Sequence, residues 1–590
     1  MKQFLITVAG VFVGLLLFAV VVPLGLVVLA VSAAQPAATP DRTVLTLDLR
    51  SGLTDQEPAG GFSFFGSRSL SVVGIEEALR RGAVDAKVKG LLVRLPEGGL
   101  APAAADELSA AFRGFRAAGK PILAFSQGLY PVGVSTAAYQ LGAASGDLWM
   151  QPSASFQVTG LAAQDLFFKR FFDKYGIKAD YEQRYEYKTA VNPYLYDDYT
   201  PAHRESELSW MGSVYQTSLA SAAADRKLDP AVLQRTIEAG PYSAEEAKAK
   251  GLIDQVGEVS DAENAIRREA GGGSQFTDLA DYAARTHDTV SIGAPTIALI
   301  QAEGDIVTGT SSHQSPFGGG QTIYADDLSN AFYAAINDKD VKAIVFRLSS
   351  PGGSDTASEE IASAIRAARA AGKPVVVSMG VYGASGGYWV SCDAAEIIAE
   401  PSTLTGSIGV FGGKFALGDA LSRFGLDMRD LKVGGDYADA FNTAAPMTPT
   451  QKAAFSAWID RIYGGFIQRV AEGRKLPAAR IEAIAKGRVW TGVQAKSLGL
   501  VDGLGGLPQA IERAKALAGV SGAARLKPFA TRANPFAAIA RLFGGSADTR
   551  LGQDIDALAS DPQLRPLIQA LEDARLRQSG AMVLAPRWVQ

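Results

Sequence analysis

The chain is one unit of roughly 245 residues written twice, and this duplication constrains its fold more than any other feature. At 590 residues the chain is too long for one hydrophobic core, so the repeat predicts two similar α/β domains in tandem. We place these domains at 41–285 and 295–530, followed by a tail at 531–590 without a counterpart in the first copy. The clearest matched segments, first copy before second, are 88–95 with 341–348, 117–121 with 370–374, and 226–228 with 474–476.

Both copies alternate short β-branched runs with longer alanine-rich stretches, a pattern typical of βα units with parallel strands. In the second copy, 344–348 predicts a buried strand that ends in a glycine-rich turn at 350–354. The next strand, 375–379, leads into the loop around Ser385, and a third strand leads into the turn around Ser407. These loops leave the carboxyl edge of neighbouring strands, where open α/β sheets usually place their sites.

The N-terminal segment 4–34 contains no charged side chain and exceeds the about 20 residues that cross a bilayer. We interpret it as a retained transmembrane helix, because the apolar core of a cleaved signal peptide is only about 7–15 residues long. The small residues that end this segment at position 34 leave removal of the segment as a cleaved signal peptide open as an alternative. Lys2, the charged residue before the span, weakly favours a cytoplasmic N-terminus with both domains outside the cytoplasm.

Charge and composition exclude several classes of function. The formal net charge of −4 and the absence of long basic runs argue against a nucleic-acid partner. The single cysteine, Cys392, excludes an intramolecular disulfide framework. The three histidines are scattered at His203, His287 and His313, so we expect neither a histidine-based metal site nor a Ser-His-Asp triad. We therefore expect no metal and no cofactor.

Ser385 is a candidate nucleophile, since glycines flank it within 383–387 and it lies where a strand turns into a helix. The glycines allow close approach of a substrate, and a helix N-terminus directs unpaired N–H groups at a developing oxyanion. Glycines 352–353 follow the neighbouring strand and offer a second donor. An ordinary N-cap serine would have the same local sequence, so the serine alone does not decide the function.

Lys188 lies in the first copy, where the second copy has Ala438. Conversely, the first copy reads Ser-Thr-Ala-Ala at 135–138 instead of the glycine-flanked serine, so each copy has kept half of a site. A neutral lysine can replace histidine as a base when burial lowers its pKa from about 10.4. A lysine is more often a solvated surface charge, but the complementary losses favour a split Ser/Lys pair. Ser407 is a candidate for orienting the amine or, equally, an ordinary turn serine.

With these residues assembled, the chain resembles the long, duplicated form of signal peptide peptidase A, a family of membrane-anchored serine proteases. The resemblance covers roughly residues 1–530 and implies two tandem Clp protease/crotonase-like ββα-superhelix domains. The segments that carry it are 349–354, 382–389, 404–410, and Tyr187-Lys188 followed by Asn192-Pro193-Tyr194.

The resemblance also implies roles for individual residues. Ser385 would be the nucleophile, Lys188 the general base, and Ser407 a hydrogen-bond partner of that lysine. The backbone N–H groups of Gly353 and Gly386 would form the oxyanion hole. Substrates would be remnant signal peptides and other short apolar or unfolded peptides. The family further implies a homotetramer in the bacterial inner membrane, with the catalytic domains on the periplasmic side.

Two other classes of function stay open at this stage. A crotonase-type enzyme would hold an acyl-CoA enolate, but that chemistry typically uses carboxylates and needs no glycine-flanked serine. A non-catalytic envelope scaffold, or pseudoprotease, would be expected to have lost Ser385 or Lys188, and both are present. The sequence therefore favours a serine endopeptidase with an acyl-enzyme mechanism.

Overall fold

The computed structural model describes residues 39–56, 71–286, 293–311 and 321–529, together with the backbone of one strand at Ala581–Leu584. The predicted anchor at 4–34 and most of the tail lie outside these residues. In the part of the chain that is described, no helix is both long and apolar enough to cross a bilayer.

The first repeat forms a parallel sheet with helices on both faces, in the order β8-β4-β3-β2-β1-β9. Its strands are β1 Thr43–Asp48, β2 Val88–Arg94, β3 Ile122–Ser126, β4 Leu148–Met150, β5 Ser155–Phe156, β6 Lys178–Arg184, β7 Tyr242–Ser243, β8 Gln255–Val256 and β9 Gln275–Asp278. Its helices are α1 Val72–Val84, α2 Pro102–Ala117, α3 Ser135–Ser145, α4 Lys169–Tyr175, α5 Asn192–Leu195, α6 Pro201–Arg226, α7 Pro230–Glu238, α8 Ala244–Ala249, α9 Val259–Glu269 and α10 Leu279–Arg285.

The second repeat builds a similar sheet in the order β19-β17-β15-β13-β10-β21, in which β16 joins β15 to β20. Its strands are β10 Thr296–Glu303, β11 Asp305–Val307, β12 Thr322–Tyr324, β13 Val341–Ser350, β14 Gly352–Ser354, β15 Val375–Ala384, β16 Glu396–Ala399, β17 Leu404–Gly406, β18 Val410–Ala416, β19 Val489–Thr491, β20 Gly503–Leu504 and β21 Arg525–Pro528; the tail supplies β22, Ala581–Leu584. Its helices are α11 Ala325–Asn337, α12 Asp355–Ala370, α13 Gly386–Ser391, α14 Gly418–Ser422, α15 Pro449–Arg474, α16 Ala478–Ile484, α17 Gly492–Leu498 and α18 Leu507–Leu517.

The apolar runs of the central strands are explained by helices that cover both faces of each sheet. In the first repeat, α1, α2 and α3 cover one face and α9 covers the other. In the second repeat, α11, α12 and α15 cover one face and α18 covers the other. The mixed α/β fold predicted from the duplicated sequence is thereby confirmed.

Two long matching helices show how closely the repeats correspond. Helices α6 and α15 both have 26 residues and both begin with proline after a threonine N-cap, Thr200 or Thr448. Each threonine side chain accepts a hydrogen bond from the backbone three residues on, which satisfies one of the unpaired N–H groups of the first turn. Each helix ends at a lysine in the left-handed conformation, Lys227 or Lys475.

One strand crosses from the first repeat to the second. Strand β6 pairs with β18 in antiparallel register, from Arg184 opposite Val410 to Lys178 opposite Ala416. The guanidinium of Arg184 adds bonds to the second repeat by donating to the Ser456 hydroxyl at 2.7 Å. The residues just after β6 are therefore held against the second repeat.

Candidate active site

Ser385 is placed by the junction between β15 and α13. Strand β15 ends at Ala384, and Ser385 then adopts φ 56° and ψ −116° as the residue that precedes α13. A positive φ is costly for a residue with a side chain, so the surrounding structure must hold it there. Two backbone bonds do so: the Ser385 N–H donates to Gly406 O at 2.8 Å, and its carbonyl accepts from Trp389 N at 2.8 Å.

The amine of Lys188 lies directly beside this serine. Its Nζ is 2.7 Å from the Ser385 Oγ, 3.0 Å from the Ser407 Oγ and 3.0 Å from the Ser407 carbonyl oxygen. Lys188 follows β6, so the strand that crosses to the second repeat delivers its amine to the serine. The three side chains singled out from the sequence thus meet at one point, and the contact is made within a single chain.

The surroundings of Lys188 favour the neutral amine. The side chain is 1% exposed, and burial holds its pKa well below the ordinary value near 10.5. Its hydrogen-bond partners are the oxygens of two serines, none of which is a carboxylate that would stabilise the ammonium form. A neutral amine has two N–H donors and one lone pair, which matches two contacts to Ser407 and one hydroxyl proton accepted from Ser385.

Gly353, in β14, and Gly386, the first residue of α13, lie next to each other. A Cβ atom on Gly386 would come 3.0 Å from the backbone nitrogen of Gly353. On Gly353 itself, a Cβ would collide with the backbone of Ile306 in β11. Both positions therefore require glycine for close packing, and the two backbone segments converge beside Ser385.

Gly487 is a position that the sequence reasoning missed. It adopts φ 84°, and a Cβ there would collide with the backbone of Lys188. The preceding carbonyl, Lys486 O, accepts the N–H groups of Tyr185 and Tyr187 at 3.2 Å each. This turn fixes the backbone on both sides of the lysine. The local sequence Lys486-Gly487-Arg488 carried no signal that it would contact Lys188.

Arg347 is a second missed position, and it joins the repeats beneath the site. Its Nη2 contacts Asp55 at 2.5 Å and Glu107 at 2.6 Å, both from the first repeat, and its Nη1 donates to the Ser378 hydroxyl at 3.0 Å. Glu107 also accepts the backbone N–H of Leu507 at 2.8 Å. Since Arg347 lies on β13 and Ser378 on β15, this buried network anchors the two strands that lead to the glycine turn and to Ser385.

Two further buried carboxyl groups, those of Glu76 and Glu400, adjoin this network. Burial, with Coulombic repulsion from Glu107 as the next cause, raises the pKa of both Glu76 and Glu400 well above its usual range. Arg347 itself pairs with the Asp55 and Glu107 side chains.

No histidine side chain is among the hydrogen-bond partners described for Ser385, Lys188 and Ser407. His203 lies in α6, where its Nε2 is 3.8 Å from a Glu207 carboxylate oxygen, while His287 and His313 lie outside the described residues. Among the residues that the structure covers, no group of three or more His, Cys, Asp or Glu side chains could hold a metal ion. The hydrogen-bond partner of Ser385 suited to act as a base is the lysine.

The family model described as Peptidase family S49 matches residues 114–272 and 367–521, one stretch in each repeat and together more than half of the chain. The chain belongs to peptidase family S49. Protease 4 of Salmonella typhi is 33% identical over 502 residues, which cover 81% of this chain and 78% of that protein. The chloroplastic serine protease SPPA of Arabidopsis thaliana is 29% identical over 81% of this chain and 69% of its own length.

A shorter relative matches part of the chain. The putative signal peptide peptidase SppA of Enterococcus faecium is 29% identical over 178 residues, 30% of this chain and 52% of that protein. Family and relatives agree that this S49 chain is a serine peptidase. The predicted resemblance to the signal peptide peptidase A family and the predicted enzyme class are both confirmed.

Proposed function

We propose that this S49 peptidase cleaves peptides with Ser385 as nucleophile and Lys188 as general base. The observation that carries the proposal is the 2.7 Å contact between the buried Lys188 amine and the Ser385 hydroxyl. A base must lie within hydrogen-bond reach of the proton it removes and must be unprotonated at the working pH. The contact meets the first requirement, and burial of the amine supports the second.

The reaction proceeds by acyl transfer. The Lys188 lone pair takes the Ser385 proton as Oγ attacks the peptide carbonyl, and the C–O bond forms as the carbonyl becomes an oxyanion. Collapse of this intermediate breaks the peptide C–N bond, and the lysine ammonium gives its proton to the leaving amine. Water then repeats the sequence on the ester, with the lysine again as base. Ser407 orients the amine through its hydroxyl and its carbonyl.

The oxyanion is stabilised by backbone donors. We assign this role to the N–H groups of Gly353 and Gly386, which adjacent segments bring together beside Ser385. Gly386 is the first residue of α13, and first-turn N–H groups have no acceptor within the helix. Donors fixed before the reaction need no reorganisation, and loss of one typically costs about 10²–10³-fold in kcat.

The proposed substrates are remnant signal peptides and other short apolar or unfolded peptides. The printed name of the Enterococcus faecium relative supports signal peptides as the substrate class. Access favours extended chains, because Ser385, Lys188 and Ser407 are all at most 1% exposed. A folded protein could not bring a backbone carbonyl to a hydroxyl buried at this depth.

We further propose that residues 4–34 anchor the protein as a single-pass segment in the bacterial inner membrane, with the catalytic domains on the periplasmic side. Support comes from the charge-free length of this segment and from Lys2 before it. The bacterial Protease 4 and SppA relatives are consistent with this placement. Such a position would bring the peptidase close to signal peptides left in the bilayer.

Self-association is supported by two segments, one in each repeat, that form no strand in the structure. Their counterparts in the opposite repeats, β6 and β18, pair with each other. Residues 175–177 and 424–426 correspond, so the second-repeat counterpart of β6 lies at about 427–434. This described segment forms no strand and presents Leu431 and Val433 at 99% and 98% exposure. The first-repeat counterpart of β18 lies at about 161–167, which is also described and also without a strand.

We propose that these two surfaces join between copies as β6 and β18 join within one copy, and that the assembly closes as a homotetramer. A head-to-tail contact of this kind uses different surfaces on the two partners and therefore forms a ring when its rotation closes. Exposed apolar side chains such as Leu431 are typical of surfaces that another chain covers.

The test is hydrolysis of a quenched fluorogenic apolar peptide by the full chain in detergent. Ser385→Ala and Lys188→Ala should both reduce the rate to background, while Lys169→Ala, which removes an exposed lysine, should leave it unchanged. Full activity in either site variant would refute the Ser/Lys assignment. If the wild-type chain cleaves no peptide and does not react with a fluorophosphonate serine probe, the pseudoprotease scaffold becomes the better explanation.

A further inference from the structure

Arg488 contacts both segments that carry the lysine and its serine partner. It immediately precedes β19, and its carbonyl oxygen accepts the Ser407 N–H at 2.7 Å. Its guanidinium carbon lies 5.0 Å from the centroid of the Tyr187 ring and 4.3 Å from that of the Trp490 ring. Tyr187 directly precedes Lys188 in the chain, so the guanidinium packs against the segment that delivers the amine.

These contacts restrain a stretch of backbone that is costly to hold. Ser407 adopts φ 49°, a left-handed conformation that its surroundings must stabilise. The Trp490 ring packs against Gly406, where a Cβ would come 2.8 Å from the indole. The Gly406 carbonyl in turn accepts the Ser385 N–H at 2.8 Å. The residues that surround the Arg488 guanidinium therefore adjoin the backbone of both serines of the site.

The end of the Arg488 side chain binds helix α6 of the first repeat. Its Nη2 donates to the Glu205 carboxylate at 2.7 Å and to the Ser209 hydroxyl at 3.3 Å. One turn further along the helix, the Ser213 hydroxyl lies 2.7 Å from the hydroxyl of Thr491 in β19. Residues four apart share one face of a helix, so this face of α6 lies along the β19 segment. Arg488 is where that contact between the repeats meets the site.

We propose that Arg488 is a positioning residue that aligns the Lys188 amine with Ser407 and makes this alignment depend on docking of α6. The role rests on the proposed function of Lys188 as the base. Arg488 acts through Tyr187 and through its own carbonyl oxygen, and it takes no part in making or breaking bonds. Arginine suits the position because its planar guanidinium can stack on aromatic rings while it donates to a carboxylate.

The first experiment replaces the guanidinium. Arg488→Met keeps an apolar stem and the backbone carbonyl but loses the stack and the bond to Glu205, so kcat should fall about tenfold with KM unchanged. Arg488→Lys keeps a cation that can lie over the rings, so it should recover about threefold of that loss. Arg513→Met removes an arginine–carboxylate pair confined to the second repeat and should leave kcat unchanged.

Two results of this comparison would overturn the proposal. One is a kcat for Arg488→Met within about twofold of wild type, since the stack would then contribute nothing to alignment. The other is equal kcat in the lysine and methionine variants, since the cation would then not be what holds the site.

A double-mutant cycle tests whether Arg488 acts through Tyr187. Tyr187→Leu removes the ring and should lower kcat by a similar factor of about ten. Because both single changes break one stack, the double variant should lose about tenfold rather than about a hundredfold. A hundredfold loss would show that the two side chains act independently and would refute the route through Tyr187.

The pH profile separates positioning from general loss of structure. Without the stack, the Lys188 amine is less firmly enclosed, and hydration favours its ammonium form. The Glu205 carboxylate, left without its cation, acts in the same direction, while the pair between Lys486 and Glu186 is unchanged. The acidic limb of kcat/KM for Arg488→Met should therefore move to higher pH by about one unit. Loss of folded protein would lower the profile without moving it, and an unmoved limb would contradict the proposal.

Stability gives a readout that does not need hydrolysis. The difference in the free energy of unfolding between Lys188→Met and a chain that keeps this lysine should level off at the folded pKa of the amine. With Arg488→Met present in both chains, urea titration should place this levelling about one pH unit higher than without it. Such a shift would preserve the positioning role even if no version of the chain cleaved peptides, so the two proposals fail separately. The same levelling pH with and without Arg488→Met would refute the positioning role.

Discussion

Replacing Lys188 by Met should remove activity and, at the same time, change how stability depends on pH. Methionine fills much of the same volume but carries no amine, so the acyl-transfer rate should fall by about 10⁴-fold, which corresponds to about 5.4 kcal/mol of barrier. The substitution also removes a titratable group that is 1% exposed and has no carboxylate among its hydrogen-bond partners. Burial of this group makes protonation unfavourable in the folded state.

The sign of the stability effect follows from the lowered pKa. Above pH 10.5 the Lys188 amine is neutral in both the folded and the unfolded chain and contributes no pH dependence. Between pH 10.5 and the lower folded pKa, only the unfolded chain binds the proton, so the wild-type free energy of unfolding falls by about 1.4 kcal/mol for each pH unit of acidification. Below the folded pKa both states bind the proton and the penalty becomes constant. Lys188→Met lacks this entire dependence.

Two assays should therefore show a break at one common pH. The difference in the free energy of unfolding between Lys188→Met and wild type, measured by urea titration at a series of pH values, should grow on acidification and then level off. Wild-type kcat/KM should rise tenfold per pH unit up to the same point and stay flat above it, because it reports ionisation of the free enzyme. A stability difference that is independent of pH, or breaks separated by more than about one pH unit, would refute a buried neutral lysine as the base.

Four further outcomes are expected. Ser407→Ala should lower kcat by about 10²-fold through loss of orientation, and should shift the acidic limb of the pH profile to lower pH because the ammonium form loses an acceptor. Gly353→Ala should lower kcat by about 10²–10³-fold, because its new methyl group would collide with a backbone carbonyl. The control variant Gly465→Ala, whose methyl group would lie in open space on α15, should leave kcat unchanged. Equal kcat values in the two variants would argue against the oxyanion assignment. Arg347→Met should reduce the free energy of unfolding by about 3–5 kcal/mol in urea titration, because two carboxylates stay buried without their cation; a loss below about 1 kcal/mol would contradict this account. Leu431→Lys should reduce the mass of the assembly measured by light scattering if the exposed segment at about 427–434 binds another copy of the chain. An unchanged mass would show that this segment is not part of the interface.

Local pattern was enough to predict the second-repeat strands that frame the site. The predicted strand 344–348 lies within β13, and the predicted strand 375–379 is the first half of β15, which continues to Ala384. Comparison of the two copies identified Lys188 and Ser385 as halves of one site, because each residue type survives in one copy. The structure brings these two side chains and Ser407 into contact; their catalytic roles stay predictions.

Features that depend on distant pairing could not be predicted in the same way. The pairing of β6 with β18 joins segments more than 200 residues apart in sequence. The apolar pattern of neither strand identifies the strand with which it pairs. Arg347 gave no local signal either, because its counterpart Arg94 also ends an apolar run and is also followed by leucine, but is only half-buried in the structure. The difference arises from Asp55 and Glu107, which reach Arg347 only after the repeats dock.

The crossing strand has a consequence for the life of the protein before it is complete. Lys188 is synthesised about two hundred residues ahead of Ser385, and the amine reaches the hydroxyl only when β6 has found β18. Under the proposed Ser/Lys mechanism, a nascent or half-folded copy therefore contains the general base without the nucleophile within its reach. Under that mechanism hydrolysis requires that the two repeats have already paired, so a copy whose repeats are still unpaired would be unable to cleave its neighbours while it is being made.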